Sequence, residues 1–156
     1  MNVQGGDMQI TEVKQVNDEI IEAFNRLIPQ LTTTNLPPTR EELEEIVAAG
    51  TSHLLIARDD TGRIVGGLTV VIFRIPTGLR TRIEDVVVES SARGQGIGEA
   101  LSRAGIELAR SLGAESVDLT SHPSRIAANR LYQRLGFTIR HTNVYRYIFP
   151  THGATS

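Results

Sequence analysis

Three glycines alternate within the stretch ARGQGIGEAL, residues 92–101, at Gly94, Gly96 and Gly98. The apolar run Val86-Val87-Val88 precedes them and a helical pattern follows. Glycine loses more backbone freedom on folding than other residues, so it weakens whichever element holds it. A series of glycines between a strand and a helix therefore indicates a need for bare backbone. A helix N-terminus presents unpaired N–H groups and the positive end of the macrodipole. Glycines let a ligand approach those groups without meeting a Cβ. The combination is an anion site suited to phosphate or pyrophosphate. Arg93 places a fixed cation at its entrance.

Several phosphate loops share this composition. A Walker A loop needs Gly-Lys-Ser/Thr, and here Gly98 is followed by Glu99-Ala100, which rejects it. The dinucleotide fingerprint G-x-G-x-x-G fails by one place, because Glu99 stands where the third glycine belongs. Asp118 lies at about the spacing of the ribose acid, but inside a strand pattern rather than at a strand's end. A plain strand-to-helix turn would be served by one glycine. The pattern that fits is Arg/Gln-x-x-Gly-x-Gly/Ala after a strand, met by Arg93, Gly96 and Gly98.

Elements on either side must hold this loop. MQITEVKQV reads as a strand and NDEIIEAFNRLIPQL as a helix, capped by Asn17 or Asp18 and ended or kinked at Pro29. TTTNLPPT is a loop, and TREELEEIVAAG a short helix from Thr39 to Gly50. SHLLIAR and RIVGGLTVVIFRI form a hairpin across the turn DDTG. After the interruption PTGL, RTRIEDVVVES is the next strand. The helix from about Gly96 to Leu112 carries Ile97, Leu101, Ala104, Leu108 and Leu112 on one stripe. ESVDLTS is a strand, SRIAANRLYQRLG a helix and FTIRHTNVYRYIF a long final strand. The order β-α-α-β-β-β-α-β-α-β predicts an α/β protein with a mixed sheet and helices on its faces. One domain over residues 8–150 is expected, with flexible tails at 1–7 and 151–156.

Composition narrows the partners. The 16 Lys and Arg against 18 Asp and Glu give a net charge of -2, so neither nucleic acid nor an anionic membrane is expected as a partner. The absence of cysteine excludes disulfides, thiolate metal sites and a cysteine nucleophile. It fits a reducing cytoplasm, the expected location, and the N-terminus lacks the pattern of a signal peptide. His53 and His141 sit in strands without ligand spacing, so no metal is expected. His122, after VDLTS, is placed to line a ligand pocket, although a lone loop histidine is more often incidental. Glu41, Glu42, Glu44 and Glu45 suit a cationic ligand nearby, or more simply a solvated helix face.

IEDVVVESSARGQGIGEAL followed by AANRLYQRLGF resembles the GNAT superfamily of acetyl-CoA-dependent N-acetyltransferases. The resemblance is strong from about Arg82 to Phe149, while the N-terminal half agrees only in element order. It implies a mostly antiparallel sheet with one splayed parallel pair and flanking helices. It implies that Arg93, Gly94, Gln95, Gly96, Ile97 and Gly98 cradle the pyrophosphate of acetyl-CoA. The backbone of Val86, Val87 and Val88 would pair with the pantetheine arm as an added strand does. Asn129 would hydrogen-bond the pantetheine, and the Tyr132 hydroxyl would protonate or hold the departing thiolate. From its helix alone, Tyr132 reads better as a core aromatic with a surface hydroxyl, and the intact NRLYQRLGF segment is what turns the reading to catalysis.

The implied reaction is direct acetyl transfer to a primary amine of a small molecule or peptide in a ternary complex. The amine must arrive neutral, so a base or water chain must take its proton. Backbone N–H near Val86 would serve the oxyanion. IEDVVV resembles the segment of amino-sugar N-acetyltransferases in which the Glu lies near the acceptor, so Glu84 is the candidate base, with Asp85 or a water chain as alternatives. A non-catalytic acyl-CoA sensor on the same fold needs the glycine loop but neither Tyr132 nor a base, and the presence of both favours the enzyme. The final strand is also open to pairing in a homodimer.

Overall fold

The computed structural model describes residues 8–151. The tails expected at 1–7 and 151–156 fall, Thr151 apart, outside the described residues. Strand β1 (Gln9–Glu12) leads into helix α1 (Asp18–Leu31). The Asn17 side chain caps α1 by accepting the Ile20 N–H at 3.0 Å. Ile20, Ala23, Phe24, Leu27 and Ile28 form its buried stripe. Pro29 does not end this helix, which runs on to Leu31. In the last turn a proline removes only its own donor, and the turn survives. Helix α2 (Arg40–Ala48) begins with a capping box between Thr39 and Glu42.

Strands β2 (Ser52–Arg58), β3 (Ile64–Ile75) and β4 (Gly78–Val88) form a continuous antiparallel meander. The β3–β4 turn is tighter than the PTGL interruption suggested, for the two strands pair to Ile75 and Gly78. Helix α3 (Ile97–Ser111) then crosses to strand β5 (Val117–Asp118), which pairs with β4 in parallel. Helix α4 (Ile126–Arg134) follows. The sheet order is β1-β2-β3-β4-β5, antiparallel except for the last pair.

Strand alternation divides the core in two. Leu54, Ile56, Ile64 and Val87 face α1 and α2. Leu55, Ala57, Val65, Leu68, Val70 and Ile83 face α3. Gly66 allows α3 to seat closely: a Cβ there would lie 3.0 Å from Leu101 Cδ1 and 3.0 Å from the Val87 carbonyl oxygen. Among the described residues no helix is long and apolar enough to cross a membrane.

The final strand expected over 137–149 does not form. Residues 137–151 make no ladder, and Ile139, Val144, Tyr145, Tyr147, Ile148 and Phe149 stand exposed. Their strand-like composition is intact, but a strand exists only against a partner edge, and none within the protomer reaches this segment. ESVDLTS is likewise shortened to two paired residues, because β4 and β5 part company beyond them.

Candidate active site

The glycine loop is built as its composition demands. A short 3-10 turn, Ser90–Ala92, leads out of β4. Gly94 and Gly96 both adopt φ of 79°, the left-handed region that a side chain disfavours. A Cβ at either would meet nothing within 4 Å, so the space in front of their backbone is open. Gly96 is the N-cap of α3 and offers no side-chain acceptor. The first N–H groups of α3 therefore lack both a helical partner and a cap. Glu99 stands in this first turn, but Arg103 pairs with it at 2.8 Å. The ion pair offsets a negative charge that would oppose a phosphate. Arg93 is exposed, with only a long 3.4 Å contact from its Nε to the Val88 carbonyl oxygen.

Strand β4 is interrupted beside this loop. Gly67 pairs with Val87 and Thr69 pairs with Glu84, so Leu68 of β3 faces two residues, Asp85 and Val86. This is a β-bulge, and Asp85 absorbs it with φ of 51°. A bulge re-aims main-chain groups that a regular ladder would consume. On its other side β4 pairs with β5 only at Thr81–Val117 and Arg82–Asp118. From Ile83 to Val88 that edge has no ladder, which leaves a gap between the two parallel strands. Val87 packs into the α1-side core, whereas Val86 and Val88 pack on the α3 side. The valines thus bury their side chains and keep one backbone edge available.

The two halves of the sequence motif come together here. A Cβ at Gly98 would lie 3.6 Å from Leu131 of α4 and 3.7 Å from Val88, so the loop, β4 and α4 converge. Asn129 and Tyr132 line a cleft of about 860 Å³ between β5, α4 and the segment after α4. Tyr132 is buried, its ring edge-on to Phe137 at 5.8 Å. Burial raises its pKa above the usual phenol value, against a smaller opposing effect of the Arg125 charge. At neutral pH it keeps its proton. The Asn129 Nδ2 group donates to the carbonyls of His122 and Arg125, each at 2.9 Å. It pins the loop between β5 and α4. His122 is exposed and bonds Ser124 locally.

Glu84 and Asp85 differ in surroundings. Glu84 is held by Arg82, Oε1 to Nε 2.9 Å, and is well solvated. Asp85 is exposed as a residue, but desolvation of its carboxyl and the adjacent Glu84 charge raise its pKa. A raised carboxylate is the better proton acceptor at neutral pH. The positive φ of Asp85 also suspends simple alternation along β4, so opposite-face reasoning does not separate these neighbours. Among the described residues no three metal-binding side chains cluster.

Residues 18–137 match the model of the Acetyltransferase (GNAT) family. The chain belongs to the GNAT family. It is 30% identical over 154 residues to glucosamine 6-phosphate N-acetyltransferase 1 of Oryza sativa subsp. japonica, covering 92% of this chain and 90% of that protein. It is 32% identical over 138 residues to glucosamine 6-phosphate N-acetyltransferase of Trypanosoma brucei brucei, covering 84% and 91%. The crystal structure of glucosamine-6-phosphate N-acetyltransferase from Arabidopsis thaliana superposes with a TM-score of 0.76 over 91% of this chain and 99% of that one, at 24% identity. This GNAT chain is accordingly an acetyl-CoA-dependent N-acetyltransferase, and the expected mixed sheet with one parallel pair is the fold observed.

Glu89, buried at the start of the glycine loop, accepts from Arg26 Nε of α1 and from Arg63 Nη2 before β3, each at 2.8 Å. Arg26 also donates to the Ile64 carbonyl at 2.5 Å. The Gln30 side chain accepts the Ser90 N–H at 2.7 Å. Helix α1 is thereby tied to the root of the loop at two points. The acidic residue next to the glycines was visible, but its partners lie 63 and 26 residues away.

Proposed function

We propose that the enzyme transfers the acetyl group of acetyl-CoA directly to a primary amine of a small molecule in a ternary complex, with an amino sugar phosphate as the leading acceptor. The observation that carries the proposal is the open, uncapped N-terminus of α3 behind two left-handed glycines, set beside a bulged and half-paired β4. Backbone N–H groups from Gly94 to Gly98, with Arg93, hold the pyrophosphate. The free edge of Val86–Val88 holds the pantetheine, with Asn129 and Tyr132 across the gap. The amino sugar phosphate is suggested by the two relatives similar over most of both chains.

The chain's own residues then divide the proton traffic. The acceptor nitrogen forms its bond to the acetyl carbon as the carbon–sulfur bond breaks. Asp85 or Glu84, directly or through water, takes the ammonium proton, and the raised pKa of Asp85 favours it. Main-chain N–H at the bulge stabilises charge developing on the acetyl oxygen. Tyr132, kept protonated by burial, supplies a proton to the leaving sulfur. A chain without cysteine offers no thiol for a covalent acetyl relay, and its composition suits the reducing cytoplasm.

The test is thiol release from acetyl-CoA with glucosamine 6-phosphate, glucosamine and a peptide amine, with calorimetric coenzyme binding in parallel. Amine-dependent release is expected, fastest with the amino sugar phosphate. Tight coenzyme binding without amine-dependent release would make this chain a sensor. Release confined to the peptide would move the acceptor assignment.

A further inference from the structure

Burial makes Tyr132 a reluctant acid. A phenol ionises at about 10 and a thiol at about 8.5, and desolvation moves Tyr132 further up. A proton passed from this hydroxyl to the departing sulfur runs uphill unless a nearby charge favours the phenolate. Several charged groups surround the phenol. Arg82, Arg110, Glu115, Asp118 and Arg140 line the same cleft, and His122 stands in the loop before α4, tied to Ser124. On α4 itself Arg130 and Arg134 lie two residues to either side of Tyr132, off its face of the helix. The one whose charge bears on the hydroxyl is Arg125, and it acts in the lowering direction.

The helix places Arg125 for this. It is the N-cap of α4. Its N–H donates to the His122 carbonyl at 3.0 Å, and its own carbonyl accepts from the Asn129 N–H at 3.0 Å and from Asn129 Nδ2 at 2.9 Å. Three hydrogen bonds fix the root of the side chain. Arg125, Asn129 and Tyr132 follow at i, i+4 and i+7, along one face. Side chains on a helix lean toward its N-terminus, so Tyr132 reaches back along this face toward Arg125. About 10 Å of rise separates the two positions, and both side chains are long.

For the helix alone this arginine is a fault. A cation at an N-terminus opposes the macrodipole, and no acidic residue stands in the first turn of α4. Arg82, Arg103 and Arg110 each pair with a glutamate, whereas among the described residues Arg125 has no ion pair. An unpaired cation at the wrong end of a helix calls for a negative charge that the resting protein does not hold.

We propose that Arg125 is a positioning residue for the leaving-group step, acting through Tyr132. The carbon–sulfur bond breaks with its electron pair on sulfur, the Tyr132 hydroxyl gives its proton to that sulfur, and the phenolate left behind is the charge that Arg125 faces. Solvent then returns a proton to the phenol. The inference rests on the acetyl-transfer reading of Tyr132.

Two measurements test it. Tyrosinate absorbance against pH, taken as the difference between the unaltered chain and Tyr132→Phe, separates Tyr132 from Tyr145 and Tyr147 in a chain without tryptophan. Arg125→Gln should move this ionisation to higher pH, and Arg125→Lys should restore it. An unmoved ionisation overturns the proposal. Arg125 is exposed, so both variants should fold, with Tm not lowered, since removing a cation from a helix N-terminus relieves the dipole.

Steady-state kinetics with acetyl-CoA and whichever of the amines above reacts fastest is the second measurement. Arg125→Gln should lower kcat roughly three- to tenfold, the scale of a partly screened unit charge about 10 Å away, with coenzyme affinity unchanged and most of the turnover kept in Arg125→Lys. In a Tyr132→Phe background the same substitution should cost nothing further. An equal loss in that background overturns the proposal. So does weakened coenzyme binding at full kcat, because Arg125 would then hold a coenzyme phosphate. Full turnover in Tyr132→Phe removes the role of Tyr132 and the proposal with it, whereas a loss in Tyr132→Phe with none in Arg125→Gln removes the proposal alone.

Discussion

Glu89→Gln keeps the shape of the side chain and removes its charge, so it isolates the worth of the tie between α1 and the glycine loop. One carboxylate oxygen accepts from two guanidinium groups at 2.8 Å, and the Glu89 side chain is 8% exposed. Breaking a fully buried pair costs about 3–5 kcal/mol, and an exposed pair about 0–1 kcal/mol. This case lies between, because Arg26 is 33% and Arg63 54% exposed and water can solvate what the carboxylate releases. A loss of about 2 kcal/mol is the central expectation, which for a chain of this size lowers Tm by roughly 4–8 °C. Urea unfolding by circular dichroism, with a cycle through Arg26→Ala and the double variant, measures it. The cycle should show that most of the loss is shared with Arg26. A midpoint unchanged within error, or strictly additive single variants, would refute the reasoning and reduce the clamp to a solvated contact.

Tyr132→Phe preserves the edge-on packing against Phe137, so kcat should fall at least about tenfold while acetyl-CoA affinity barely moves; full turnover in the folded variant would return Tyr132 to a packing role. Arg93→Ala should weaken coenzyme A by about 10–100-fold, the value of charge-assisted hydrogen bonds, and leave acetyl-pantetheine almost unaffected; equal losses would mean that Arg93 acts through the fold. Gly96→Val forces a branched side chain to φ of 79°, and calorimetry should find acetyl-CoA binding sharply weakened at a strain cost of about 1–3 kcal/mol. Desolvation and Glu84 raise the folded pKa of Asp85, so its penalty is absent below the unfolded pKa and appears as pH rises through the folded one. Asp85→Asn should thus raise Tm at about pH 7 but not at about pH 3, while kcat/KM collapses if Asp85 is the base; full activity in Asp85→Asn would pass the role to Glu84.

What could be read from the chain before folding depended on how far apart the cooperating residues lie. The anion loop is local: strand, glycines and helix start fit within about a dozen residues, and turn chemistry alone dictates them. That Asn129 and Tyr132 share one cleft was legible for the same reason, since they lie three apart on one helix. The bulge at Asp85 was not, because it is a mismatch between two strands, Gly67–Thr69 against Glu84–Val87. Nothing within IEDVVV announces it, although aspartate is among the residues that tolerate positive φ. The Glu89 clamp was hidden by the same distance. A glutamate beside a phosphate loop reads as an electrostatic fault until Arg26 and Arg63 are found on either side of it.

Two segments of like composition and unlike outcome teach the complementary lesson. SHLLIAR and VYRYIF have equally strand-like compositions. The first is a buried strand because β1 and β3 lie on either side of it, and the second is bare because nothing does. A strand is half of a pairing, and its other half need not belong to the same chain. The cost of leaving these apolar side chains in water would fall on the protomer, which has an open edge on β5 and a cleft beside it. The pattern over 137–149 predicts a strand, but none of the described residues offers it a paired edge, so composition alone could not place it in the sheet.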